Sequence, residues 1–140
     1  MQETQEIQET EEAKETAGAA DHLFSGKEPA VHAVYEEVLS SLRAVGEFTV
    51  EPKKTSIHLV RSSGFAGVHP RKGYLYLNLR LDRPLSGPRV AKAEQVSRNR
   101  WHNEIRLDSP EQVDEELRGW LREAYTLAQA GRDAAGVEVE

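Results

Sequence analysis

The stretch GVHPRKGYLYLNLRL, residues 67–81, decides the fold. Pro70 suits the second position of a tight turn and Gly73 suits its end, so the stretch predicts a β-hairpin. Leucine then occupies every second position from Leu75 to Leu81, which predicts a strand with one face in the core. The intervening side chains belong to the opposite face, namely Tyr74, Tyr76, Asn78 and Arg80. That second face is either a binding surface or the ordinary outer surface of a hairpin.

Further strands flank this hairpin on both sides. Short alternating segments predict strands at residues 48–51, 55–60, 64–68 and 101–107. His58 and His102 fall on the polar side of their segments, and Arg106 lies on the same side as His102. Residues 82–100 contain three glycines or prolines, so they predict a long irregular connection with one helical turn near Val90.

Two amphipathic helices enclose the strands in sequence. Valines and leucines from Val31 to Leu42 recur at helical spacing. Near the C-terminal end, Ser109, Pro110 and Gln112 have the spacing of a capping box that opens a second helix. Strands joined by short turns favour antiparallel pairing. The sequence therefore predicts a two-layer α+β fold, with an antiparallel sheet of four to five strands and the N-terminal and C-terminal helices packed on one face.

The two ends of the chain differ in composition from its centre. Residues 1–24 are acidic and of low complexity, and they predict a disordered tail. Residues 25–130 predict a single α+β domain, and residues 131–140 a flexible C-terminal tail. No apolar run reaches the roughly 18 residues of a membrane span, and the acidic start lacks the features of a secretory signal. We therefore expect a cytoplasmic protein without a membrane partner.

Charge is distributed unevenly. The net charge is −6 and the isoelectric point is near 5.4, yet residues 53–106 hold twelve bases and three acids. This central block favours a polyanionic partner. The alternative is that acidic helices and a basic sheet neutralise each other. The chain has no cysteine, and no residue spacing indicates a metal site or a cofactor.

The second face supplies the candidate binding residues. Tyr74 and Tyr76 could stack on nucleic-acid bases, with Arg80 and Arg106 at phosphates. The alternative is that the tyrosines pack against residues 82–100 or serve as ordinary strand formers. The complete candidate set is Tyr74, Tyr76, Arg80, Arg106, His58, His102, Arg71, Lys72, Arg98 and Arg100.

Two longer stretches resemble a known family. These are KTSIHLVRSSGFAGVHPRKGYLYLNLRLD and RLDSPEQVDEELRGWLREAYTLA. Together they are similar to the family called domain of unknown function 5655. The matching positions are Phe65, Val68, Pro70, Lys72, Leu75, Leu77, Arg106, Leu107, Ala124 and Tyr125. The resemblance covers most of residues 30–128. It implies the same architecture and a DNA-related setting, and it implies no catalytic residue.

The sequence as a whole favours a non-enzymatic binding domain. Its basic sheet face and connection would contact a polyanion, with nucleic acid as the leading partner class. A protein-interaction module that binds an acidic protein is the first alternative. The second is a small phosphodiester-processing enzyme in which His58 and His102 act as an acid–base pair.

Overall fold

The computed structural model describes residues 20–139, and it describes side chains as far as Ala128. The helices are α1 (Pro29–Arg43) and α2 (Glu115–Val139), with short 3-10 helices at His22–Phe24 and Pro110–Gln112. The strands are β1 (Thr49–Pro52), β2 (Ile57–Val60), β3 (Gly64–Pro70), β4 (Leu75–Leu81), β5 (Val90–Ser97) and β6 (Arg100–Leu107).

The strands form one antiparallel sheet in the order β1-β2-β3-β4-β6-β5. The predicted α+β class and antiparallel pairing are confirmed, but the predicted count of four to five strands is wrong, because residues 20–139 already form a sheet of six. The extra strand, β5, lies in the segment predicted as an irregular connection. From residue 91 to residue 97 its side chains are all exposed. Because this edge strand buries neither face, its sequence lacks the alternation of apolar and polar residues that predicts a strand.

A β-bulge in β3 changes the direction of one aromatic side chain. Leu59 pairs with Ala66, but Val60 pairs with Gly64, so Phe65 is an extra residue on β3. The Phe65 ring is buried and meets the ring of Tyr125 edge to face, with 5.6 Å between centroids. The bulge therefore allows the consecutive residues Phe65 and Ala66 both to be buried, with the Phe65 ring against Tyr125 of α2.

The core lies on the leucine side of the sheet. The four leucines of β4 are almost completely buried, as residues 67–81 predict. They belong to one buried cluster that also contains Val34 and Leu42 of α1 and Leu117 and Leu121 of α2. Helix α2 contacts β3, β4 and α1.

The capping box predicted at Ser109 is present, but it caps the short 3-10 helix Pro110–Gln112. Helix α2 begins later, at Glu115, where the Asp114 carboxylate accepts the backbone N–H of Leu117 at 3.0 Å. Val113, between the two, has a non-helical ψ of 70°. The chain therefore uses two successive caps in a segment that the sequence presents as one helix start.

Most of the predicted acidic tail, residues 1–19, lies outside the described residues. The last part of it is described, and Ala20, Leu23 and Phe24 are buried in the core. Three apolar residues are too few to produce a periodic pattern, so the sequence alone assigns them to the predicted disordered tail. The predicted C-terminal tail overlaps the end of α2, whose backbone is helical up to Val139, and its flexibility stays a prediction.

None of the helices in the described part of the chain combines the length and the apolar composition that a bilayer crossing requires.

Candidate functional site

The side of the sheet opposite the leucines is called the open face here. Its central row runs from His58 through Gly67 and Asn78 to Glu104 and Lys92, as the strand register shows. One neighbouring row carries His69, Tyr76 and Arg106, the other carries Arg80, His102 and Glu94, and Glu51 of β1 pairs with His58 in the central row. Histidines, arginines and tyrosines thus share one surface.

One end of the open face brings together two tyrosines and two arginines, and we call them the Tyr–Arg cluster: Arg71, Tyr74, Tyr76 and Arg106. The tyrosine rings lie 5.2 Å apart and nearly perpendicular. The Arg106 guanidinium lies 3.9 Å from the centroid of Tyr74, and that of Arg71 lies 5.8 Å from the centroid of Tyr76. Both rings remain partly exposed, and both arginines are exposed.

The electrostatics of the cluster follow from these contacts. A hydrogen bond with the Tyr74 side chain is the main cause that raises the pKa of Tyr76. The Tyr76 phenol therefore remains neutral at physiological pH. Among the described residues, neither Arg71 nor Arg106 forms an ion pair with a carboxylate. Two cations are consequently available to an external anion.

The turn that carries Arg71 and Lys72 is fixed by the start of α1. The backbone N–H of Arg71 donates to the carbonyl of Tyr74 at 2.7 Å, and that of Glu28 donates to the carbonyl of Lys72 at 2.8 Å. A Cβ atom at Gly73 would collide with the Glu28 carboxylate, so glycine there permits this close approach. The exposed Lys72 side chain lies at the tip of the turn, beside the cluster.

The connection between β4 and β5 lies on the other side of the sheet. The side chain of Asn103, fully buried on the leucine side, accepts the N–H of Leu85 at 2.7 Å and donates to the carbonyl of Arg83 at 3.1 Å. The Arg83 guanidinium pairs with Glu123 of α2 at 2.9 Å. Arg83 and Leu85 of this connection therefore lie on the side of the sheet opposite Tyr74 and Tyr76.

A small hollow of about 200 Å³ lies at the centre of the open face, above Gly67. It exists because Gly67 contributes no side chain between His58 and Asn78. His69 and His102 also line it, together with Arg80, whose Nη1 donates to the carbonyl of Gly64 at 2.8 Å. Arg80 is thus partly committed to the backbone.

Two of the residues that line the hollow, His69 and His102, are biased toward their neutral form. Burial, followed by repulsion from Arg71, lowers the pKa of His69. Burial, followed by repulsion from Arg80 and Arg100, lowers the pKa of His102. Desolvation and nearby positive charge both disfavour an imidazolium ion.

The predicted pair of His58 and His102 is widely separated. β3 and β4 lie between their strands, so three strand spacings, about 14 Å, separate their backbones. Both side chains nonetheless line the hollow, and joint action on a phosphodiester stays a prediction. No three His, Asp or Glu side chains in the described part of the chain are grouped to hold a metal ion.

The remaining predicted residues, Arg98 and Arg100, lie exposed at the β5–β6 turn. The antiparallel register places them at the opposite end of the sheet from Arg71. The central basic block is also partly neutralised by α2, because Arg83 pairs with Glu123, and Arg89 pairs with Asp114 and Glu116. Ten candidate residues thus separate into the Tyr–Arg cluster with Lys72, the hollow, and a distant arginine pair.

Sequence reasoning left Gly67 and Asn103 out of the candidate residues. Gly67 lies between two apolar residues in a strand that contains two glycines. Only the strand register shows that it leaves a gap between the side chains of His58 and Asn78. Asn103 alternates with Trp101 and Ile105 on the same side of the predicted strand. A polar residue on this core side was the feature that could have indicated a buried hydrogen-bonding role.

Comparison with known proteins adds a family and no closer relative. No curated protein and no solved structure matches the chain. The family model described as domain of unknown function (DUF5655) matches residues 20–128. These residues include every strand, α1 and the part of α2 whose side chains are described. The chain therefore belongs to the DUF5655 family.

Proposed function

We propose that this protein is a non-enzymatic binding domain that holds single-stranded nucleic acid on its open face. The observation that carries the proposal is the Tyr–Arg cluster, in which each of two partly exposed tyrosine rings has an exposed guanidinium over it. Tyr74 and Tyr76 would stack on bases, and Arg71 and Arg106 would contact phosphates.

The chemistry of single strands fits this arrangement. Unpaired bases present flat aromatic faces, and stacking on a protein aromatic ring stabilises binding by about 1–3 kcal/mol per base. A guanidinium forms two parallel hydrogen bonds with a phosphate group. Because stacking does not read base identity, we propose tolerance of sequence rather than a defined motif.

The proposal takes both helices to pack on the leucine side, so that the sheet has one covered and one open face. A single buried cluster that joins the helices to the leucines of β4 supports this arrangement. A nucleic-acid strand that lies along β4 from Tyr74 would then reach Arg80, and beyond it Arg100. The arginines along this path would supply positive charge to the phosphates of the strand.

Fluorescence anisotropy with a labelled 12-nucleotide single strand, as DNA and as RNA, tests the proposal. We expect saturable binding by the full chain at 20 mM salt that weakens steeply as salt rises, since bound phosphates release counterions. Tyr76→Ala should weaken binding by about 1–3 kcal/mol. Tyr76→Phe is the matched control, since it keeps the stacking surface, and it should bind as the unaltered protein does.

The same assay distinguishes the alternatives. Absence of binding at 20 mM salt would overturn the proposal. Binding of poly-glutamate as tight as that of the oligonucleotide, unaffected by Tyr76→Ala, would instead support recognition of an acidic protein. Cleavage of the RNA that is lost in His102→Ala would support the phosphodiester-processing alternative.

A further inference from the structure

A second, larger cavity lies away from the open face, between α1 and the edge strand β1. Its volume is about 1050 Å³, close to the upper limit of small-molecule sites at about 1,000 Å³. The end of β2 and Tyr125 of α2 also line it, and it is broadly open to solvent. We call it the α1–β1 cavity.

One wall of this cavity contains a polar group without a partner. Tyr35 of α1 lines the cavity and is 1% exposed. Its hydroxyl is buried and has no hydrogen-bond partner among the described residues. Burial is the main cause that raises the pKa of Tyr35 to about 12, so the phenol keeps its proton and remains a donor. Buried hydroxyls in folded proteins nearly always have a partner, so an acceptor from outside the chain would complete this one.

Two guanidinium groups line the same cavity. Arg43 comes from the last turn of α1, and Arg61 follows β2. Arg61 lies 3.9 Å from the centroid of the Tyr125 ring, and its Nη1 donates to the Tyr125 carbonyl at 3.3 Å. Neither arginine forms an ion pair among the described residues. Since a guanidinium has five N–H donors, both retain capacity for an anion.

Apolar and polar residues share the remaining walls. Phe48 and Val50 are partly buried and pack on the core, and the Phe48 ring meets that of Phe65 edge to face at 6.4 Å. Glu47, the one acidic residue of the lining, is exposed. Its backbone carbonyl accepts a hydrogen bond from the Tyr125 hydroxyl at 2.8 Å. The cavity thus combines aromatic surface with a surplus of positive charge.

We propose that the α1–β1 cavity binds a small organic anion, namely an apolar or aromatic body that carries one carboxylate, sulfonate or phosphate group. The anionic group would accept hydrogen bonds from Arg43, Arg61 and the Tyr35 hydroxyl. The body would lie against Phe48, Val50 and Tyr125. This site is separate from the open face, and its test does not depend on whether the protein binds nucleic acid.

A titration with 8-anilinonaphthalene-1-sulfonate, followed by its fluorescence, tests the site in the full chain. We expect saturable binding of one molecule. Arg43→Gln should weaken it about tenfold, since a hydrogen bond to a charged group is lost. Tyr35→Phe should weaken it roughly 2- to 10-fold, yet leave the thermal midpoint of the free protein equal or higher, because the hydroxyl that is removed has no partner there.

Controls separate anion recognition from general adhesion to apolar surface. N-phenyl-1-naphthylamine, which has the same aromatic body without the sulfonate, should bind more weakly and respond little to Arg43→Gln. Arg98→Gln, an exposed arginine at the β5–β6 turn, should bind the sulfonate as the unaltered protein does. Backbone amide shifts on titration should concentrate at Gly46 and Thr49, which line the cavity.

Three results would overturn this inference. One is the absence of saturable sulfonate binding. Another is binding within twofold of the unaltered protein in both Arg43→Gln and Tyr35→Phe. The third is a set of amide shifts that lies on the open face and leaves Gly46 and Thr49 unmoved.

Discussion

The guanidinium of Arg106 lies 3.9 Å from the ring centroid of Tyr74, although its direct partner across the sheet is Tyr76. Arg106 therefore reaches diagonally over two positions of β4. Such diagonal neighbours are within reach of long side chains. The contact orders an exposed cation and keeps the remaining N–H groups available, which suits a phosphate ligand.

This geometry predicts that Arg106 and Tyr74 contribute differently to nucleic-acid binding. Arg106→Gln should reduce the slope of log affinity against log salt by about 1, because one phosphate contact is lost. Tyr74→Ala should lower affinity at every salt concentration and leave the slope unchanged. Arg122→Gln, an exposed arginine on α2, is the matched control. Equal slopes for Arg106→Gln and Arg122→Gln would contradict a phosphate contact at Arg106.

Two glycines should respond in opposite ways to alanine. A Cβ atom at Gly46 would overlap the Tyr125 hydroxyl, so we expect Gly46→Ala to cost about 1–3 kcal/mol through overpacking. A Cβ atom at Gly67 meets nothing closer than 3.5 Å, and its φ is not positive. Gly67→Ala should therefore stabilise β3 by up to about 0.5–1 kcal/mol. Urea denaturation of both variants measures the contrast, and equal effects would contradict it.

The double variant Gly46→Ala with Tyr125→Phe extends that test. Removal of the hydroxyl relieves the overlap, so the two changes should be non-additive, with the pair less unstable than the sum of the single variants. Additive free energies would show that the overlap is relieved elsewhere in the structure.

Asn103 should be important for stability although it lies far from the Tyr–Arg cluster. Asn103→Ala leaves the buried N–H of Leu85 without its acceptor, which costs about 1–3 kcal/mol. Amide hydrogen exchange at Leu85 should accelerate as the β4–β5 connection loosens. Asn78→Ala, which removes the same side chain from the partly exposed face, should change stability by less than about 0.5 kcal/mol. Similar losses in both variants would contradict the role assigned to Asn103.

The side chains of residues 67–81 explain how much the sequence could predict. Alternation is informative wherever one face of a strand is buried, so β4 and the candidate residues of its outer face were predictable. β5 has no buried face, so its sequence shows no alternation of apolar and polar residues from which a strand could be predicted. The hollow at Gly67 depends on which strands are neighbours, and a single sequence does not contain that order.

The α1–β1 cavity escaped prediction for a related reason. Tyr35 and Arg43 come from α1 and Arg61 follows β2, and each looks ordinary in its own segment. Tyr35 fits the buried side of an amphipathic helix, and an arginine in the last turn of a helix is common. Only the packing of α1 beside the edge of the sheet shows that the hydroxyl has no partner.

Stability should depend on pH through the hollow. Because the pKa of His69 and of His102 is lowered in the folded protein, their neutral forms stabilise it. The unfolded chain binds more protons below the ordinary histidine pKa of about 6.5. This contribution is complete above that pH and is lost as the pH falls toward the folded-state values. The thermal midpoint should therefore fall less between pH 7.5 and 5.5 in His102→Gln than in the unaltered protein.

Imidazole titration by NMR identifies the causes. His102 should titrate below about 6.5, and Arg100→Gln should move its pKa upward, because a repelling charge that contributes to the shift is removed. His69 is the internal control, since Arg100 is not among the causes of its shift. A His102 midpoint at or above the ordinary histidine value would contradict this account.

The outer strand β5 has a consequence for how the protein behaves in crowded solution. An unpaired strand edge invites another chain to pair with it and so begins aggregation. β5 has two irregularities in register with β6, and it places the charged pair Lys92 and Glu94 on that border. Charge and interrupted register make the border a poor template for a second copy. The sheet therefore ends at β5 with an edge that disfavours pairing with a further strand.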